Sequence, residues 1–95
     1  MKCFPFMHEI EGARAVLIGG GKVALHKAQR LAPFGAELIV CAHEVLPELK
    51  ALAHTVYTEY APHLLDGASF AIAATDDRVL NARIASDCRA RHIPV

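Results

Sequence analysis

The sequence predicts a single α/β domain, a parallel sheet covered by helices on both faces. Three observations carry this. The runs "ARAVLIG", "AELIVCA" and "SFAIAA" are short and almost wholly apolar, as strands buried on both sides are. Segments with helical spacing of apolar residues separate them. A run of three glycines, Gly19 to Gly21, sits where the first strand hands over to the first helix.

Taken in order, the first strand ends at Ile18. Residues 22 to 33 read as a helix, with Ala24, Ala28 and Leu31 on one face and Gly35 as its stop. The next strand, 36 to 42, follows after about eighteen residues, a length that suits a right-handed helical crossover. Residues 47 to 53 form a second helix with Pro47 in its first turn, where a missing N–H costs little. Val45, Leu49 and Leu52 share its apolar face. "TVYTEY" (55 to 60) alternates and is rich in β-formers. Pro62 and Asp66-Gly67 mark a loop. "SFAIAA" (69 to 74) lacks polar alternation and reads as a central strand. Asp76 or Asp77 caps a third helix, 78 to 91, that buries Leu80, Ile84 and Cys88. "IPV" (93 to 95) starts a fifth strand, an edge because Pro94 has no N–H to donate. The predicted strand order is 3-2-1-4-5, and its first βαβαβ is a mononucleotide-binding half. The expectation is one Rossmann-like domain, of the kind that binds NAD(P), spanning residues 1 to 95.

Composition narrows the function. Ten Lys plus Arg balance ten Asp plus Glu, so nothing electrostatic favours nucleic acid or an anionic membrane. The N-terminal segment lacks the apolar stretch of a signal peptide, and no run approaches a membrane span. Cys3, Cys41 and Cys88 are odd in number and form no C-x-x-C. They read as reduced thiols in a cytoplasmic protein, with Cys41 and Cys88 in the core. His8, His26, His54, His63 and His92 show no metal-ligand spacing, so no metal is expected.

Gly19-Gly20-Gly21-Lys22-Val23-Ala24 fits G-x-G-x-x-A. Gly19 allows the tight turn, Gly21 lets backbone approach a pyrophosphate, and Ala24 keeps the helix close to the sheet. Gly20 is the position the motif constrains least. Unpaired N–H groups at the helix start suit a phosphate. The motif's acid at the end of the second strand is not clearly present. Glu44 reads equally as a ribose acid or an ordinary helix-start acid, and His43 as a ribose or adenine contact or a solvated side chain. The choice between NAD and NADP stays open at this point. The Ala74-Thr75-Asp76-Asp77 loop is expected to face the glycine turn across the crevice, with the small Ala73 and Ala74 letting a cofactor lie close.

Several motifs together resemble one family. Phe4-Pro5-Phe6, Gly12 to Arg14, Gly19 to Ala24, Gly35-Ala36, Ala74 to Asp77 and Asn81 are similar to the N-terminal domain of siroheme synthase. That domain is the precorrin-2 dehydrogenase and sirohydrochlorin ferrochelatase module, and the likeness covers essentially the whole chain. The resemblance implies NAD as hydride acceptor, a tetrapyrrole substrate (precorrin-2, oxidised to sirohydrochlorin), and a homodimer. For related enzymes it implies a lyase step inserting Fe²⁺. It implies cofactor contacts at Lys22-Val23 and His43-Glu44, and phosphate on the amides of Gly20 to Val23. With the loop across the crevice, the expected cofactor residues are Gly19, Gly20, Gly21, Lys22, Val23, Ala24, His43, Glu44, Ala74, Thr75 and Asp76.

The family has Arg-Lys in the first helix where this chain has His26-Lys27. The family's fifth strand runs into Asn-x-x-Asp, whose aspartate is implicated in the chemistry, and the sequence given stops at Val95 before it. The expectation is therefore a cofactor-binding part of a larger enzyme, with no catalytic residue among these 95. A non-enzymatic NAD-sensing module shares the turn and the sheet. It usually carries the missing second-strand acid, and it lacks Phe4-Pro5-Phe6 and the Ala-Thr-Asp-Asp-plus-Asn pattern.

Overall fold

The apolar runs pair side by side, because only a neighbouring strand can satisfy their backbone groups once both faces are covered. The computed structural model describes residues 12–95, so Cys3, Phe4-Pro5-Phe6 and His8 lie outside the described residues. The strands are β1 (Arg14–Ile18), β2 (Glu37–Cys41), β3 (Thr55–Tyr57) and β4 (Phe70–Ala73). The helices are α1 (Lys22–Leu31), α2 (Pro47–Leu52) and α3 (Arg78–Ala90). All pairings are parallel, in the order β3-β2-β1-β4.

Alternate residues of each strand serve two cores. Ala15, Leu17, Leu38, Val40 and Phe70 pack under α1 and α2, against Ala24, Leu25, Ala28, Leu31 and Leu49. Val16, Ile18, Ile39, Cys41 and Ala71 pack on the other face against Ile84 and Cys88 of α3, and against Leu64 and Leu65 of a 3₁₀ turn at Pro62–Leu65. This is why the strands show no polar alternation. Cys41 and Cys88 are both in the core, as expected. At the lower rim, the Arg14 guanidinium donates to Glu37 (2.9 Å), tying the starts of β1 and β2.

Two details of the α1 exit have local causes. The α-helix stops at Leu31 rather than 33 because the Pro33 ring lacks an N–H and crowds the preceding turn. The chain then makes a 3₁₀ turn, Ala32–Phe34, which Gly35 ends in the left-handed conformation (φ 79°).

Two expectations fail at the sheet's edges. Among the described residues no fifth strand forms: residues 93–95 lie along β4, and the Ala71 N–H donates to the Pro94 carbonyl (2.9 Å). Three residues that include a proline cannot continue the ladder. Among the described residues β4 is consequently an edge strand and not a central one. β1 holds the middle, between β2 and β4. At the other edge β3 is only three residues long and exposed, and residues 58–60 leave the sheet.

Candidate functional site

The strand order reverses direction at β1, where β2 lies on one side and β4 on the other. Loops leaving the carboxyl ends of such strands diverge and open a crevice. A cavity of about 510 Å³ occupies that place. The turn after β1, the ends of β2 and β3, and the loop after β4 line it.

The glycine turn forms one wall, and each glycine has a different reason to be there. Gly19 (φ +141°) passes against the Ala74 backbone, and a Cβ would collide with the Ala74 carbonyl oxygen. Hydrogen bonds fix it from both sides: Gly19 N–H donates to the Cys41 carbonyl (2.9 Å), and Ala74 N–H to the Ile18 carbonyl (2.8 Å). Gly20 is still tighter. A Cβ there would run into the Glu44 carbonyl group, and the Gly20 carbonyl accepts from Leu46 N–H (3.0 Å). The motif marks Gly20 as the least constrained position, and the fold makes it the most crowded. Gly21 is the reverse: a Cβ there would meet nothing within 4 Å, and the residue is exposed on the cavity. That open face is what a ligand can approach.

Gly21 is also the N-cap of α1, and it offers no side chain to the helix's first amides. No acidic residue lies in that first turn either. The unpaired N–H groups and their partial positive charge are left for an anion, and Lys22, the first residue of α1, lines the same cavity. Such a cradle, bare of Cβ and of competing carboxylate, fits a dinucleotide's phosphates.

The opposite wall is built from side chains. Asp77 caps α3, its carboxylate accepting from Leu80 N–H (3.0 Å). Asn81 braces the loop by a reciprocal pair. It accepts from the Thr75 hydroxyl at 2.5 Å and returns its amide N–H to the Thr75 carbonyl at 3.0 Å. Thr75 Oγ1 in turn accepts from Asp77 N–H (3.2 Å).

Of the residues expected at the site, Gly19, Gly20, Gly21, Lys22, Val23, His43, Ala74, Thr75 and Asp76 line the cavity. Two do not. Ala24 is fully buried on the sheet-facing side of α1, where its smallness serves packing. The Glu44 side chain is exposed and off the cavity, while its carbonyl abuts Gly20. Sequence reasoning missed Ile18, Cys41, Ala42, Thr58, Tyr60 and Leu80 as lining residues, while Asp77 lines it as the expected loop does. The signal that could have found Thr58 and Tyr60 is the "TVYTEY" run itself, whose last residues follow β3 to the same end of the sheet. Tyr60 is held firmly: its hydroxyl donates to Asp87 (2.5 Å), and the Arg83 guanidinium lies 5.3 Å from the ring centre. Burial, and then the Asp87 carboxylate, push the Tyr60 phenol well above its ordinary value. Burial chiefly raises the Cys41 thiol as well, with the Glu59 charge adding to it. Both groups therefore stay protonated at neutral pH. Among the described residues no cluster of His, Cys, Asp or Glu is placed to hold a metal ion.

Comparison with known proteins agrees with this geometry. A family profile described as "Putative NAD(P)-binding" matches residues 6–95. The siroheme synthase of Chromobacterium violaceum is 46% identical over 100 aligned residues, covering all of this chain and 21% of that protein. That of Pseudomonas entomophila is 43% identical, again over the whole chain and 22% of the relative. The chain thus spans about a fifth of the length of these curated relatives. Among solved structures, the precorrin-2 dehydrogenase SirC superposes with a TM-score of 0.76 at 22% identity, over 86% of this chain and 44% of that one. Apo D-lactate dehydrogenase from Escherichia coli gives 0.61 at 20% identity, over 73% of this chain and 21% of that one. Both likenesses show the α/β fold with its parallel sheet.

Proposed function

This chain belongs to the NAD(P)-binding family, and from that premise we propose that it is the NAD-holding part of a precorrin-2 dehydrogenase. In the longer protein it serves the oxidation of precorrin-2 to sirohydrochlorin, on the route to siroheme. The observation that carries the reading is the cavity walled by the three-glycine turn, with Gly21 bare on its open side. The siroheme synthase relatives supply the substrate class, and the regulatory-module reading is set aside on the same ground.

When bound, NAD⁺ supplies a hydride acceptor. The chain's own residues bind and orient it. The amides of Gly20 to Val23 and the Lys22 ammonium hold the pyrophosphate. His43 stands at the ribose end, and Ala74, Thr75 and Asp76 face the cofactor from the other wall. Asp77 is engaged as a cap, so no proton-transfer role falls to it. We extend the proposal to a cytoplasmic homodimer, and to Fe²⁺ insertion as a lyase activity of the longer protein. Within the described residues no helix is long and apolar enough to cross a membrane.

Calorimetric titration of the purified chain with NAD⁺ tests the core of this. Binding is expected for the natural sequence. For Gly21→Asp it should be at least about tenfold weaker, because a carboxylate would enter the phosphate cradle. The urea midpoint should stay nearly unchanged, since a Cβ at Gly21 meets open space. Equal binding by both proteins would exclude the glycine turn as the phosphate site.

A further inference from the structure

The end of β2 carries no carboxylate. In dinucleotide-binding sheets an acid there accepts from the ribose 2′-hydroxyl and repels a 2′-phosphate. Here the strand closes on Cys41 and Ala42, and a thiol and a methyl can do neither. Glu44 is not a substitute, since its side chain lies off the cavity.

A carboxylate just past the end of β3 comes close to one residue of the cavity wall. β2 and β3 pair in register as far as Cys41 and Tyr57. The Ala42 N–H then donates to the Tyr57 carbonyl (2.9 Å), keeping the two chains together past the ladder. Two residues further on, Glu59 meets His43: its Oε1 lies 4.0 Å from the imidazole Nε2. His43 lines the cavity, as do Thr58 and Tyr60; Glu59 between them, like Glu44, does not line it, and bears on the site through His43. The Glu59 charge is also felt at Cys41, on the cavity wall.

We propose that Glu59, with His43 as its partner, is the specificity residue that makes the site prefer NAD⁺ to NADP⁺. The inference rests on the proposed cofactor reading and adds the choice between the two cofactors. The carboxylate stands behind His43, from the segment after β3 instead of from the end of β2. It opposes a 2′-phosphate by charge. Glu59 is 80% exposed, so water screens it and the preference is modest.

The test measures dissociation constants of NAD⁺ and NADP⁺ by calorimetry on the natural chain, Glu59→Gln, Glu59→Arg and Glu44→Gln. The natural chain should favour NAD⁺. Glu59→Gln should narrow the ratio by about two- to fivefold, the range for exposed charge pairs. Glu59→Arg should narrow it further or reverse it, mainly by tightening NADP⁺. Raising the salt should draw the proteins together. Glu44→Gln should leave the ratio in place. If NAD⁺ binds but the ratio is unmoved by either Glu59 change, or moves only with Glu44→Gln, this inference fails and the cofactor reading survives. A chain that binds neither dinucleotide overturns both.

Discussion

α1 and α3 both begin at the crevice, and they begin in opposite ways. α1 starts at Gly21, with no capping side chain and no acid in its first turn. α3 starts at Asp77, whose carboxylate takes the Leu80 amide. A helix start already bonded to a carboxylate has little left for a phosphate, whereas a bare one keeps its amides and its partial charge. The same cavity thus has one wall that suits an anion and one that does not. The walls also differ in what holds them. The α1 side is positioned by backbone contacts that leave no room for a side chain. The α3 side is positioned by Thr75, Asp77 and Asn81 side chains.

Substitutions should break this contrast unequally. The largest effect is expected from Gly20→Ala. Its methyl would meet the Glu44 carbonyl group, and backbone cannot swing aside as a side chain can. A loss of about 3 kcal/mol or more in urea unfolding is expected, at the upper end of overpacking costs. A stability like that of the natural chain would mean that the 42–46 loop moves freely. Asn81→Ala comes next. It removes both Asn81–Thr75 bonds, at about 1–3 kcal/mol, and should weaken NAD⁺ binding by loosening the far wall. Unchanged binding with lowered stability would limit Asn81 to the fold. Asp77→Ala is the mildest, at about 1 kcal/mol for a lost cap. If uncapping α3 instead strengthened NAD⁺ binding markedly, the two helix starts would be competing for the same phosphates, and the contrast between them would be wrong.

Much of this was legible in the sequence, and what was not has a common cause. The apolar runs and the helical spacing identify every strand and helix within a few residues, because local burial alone writes those patterns. The α1 turn was readable from G-x-G-x-x-A. Gly20 was misjudged because its constraint comes from Glu44, twenty-four positions later in the chain (44 less 20). Thr58 and Tyr60 were missed for the same reason: only the β2–β3 register brings them to the crevice. Ala24 looked like a cofactor residue because small residues near a phosphate loop serve both packing and approach, and the motif does not separate the two. The terminal "IPV" is apolar enough for a strand, but Pro94 withholds the N–H that a ladder needs. Asn81 entered only through the family pattern; its bonds to Thr75 give that pattern a physical reason.

The central place of β1 has a consequence for the order in which the domain matures. Among the described residues β1 is the first strand to be synthesised, yet its second partner, β4, arrives much later: Arg14 bonds to Ser69, 55 residues away. β1, α1 and β2 can close on one another as a local unit, with short loops and a small entropic cost. That unit already contains the glycine turn. It has no crevice, because the wall facing Gly19 is Ala74. Affinity for a dinucleotide should therefore appear late and abruptly as the chain lengthens, when β4 docks and covers the exposed edge of β1.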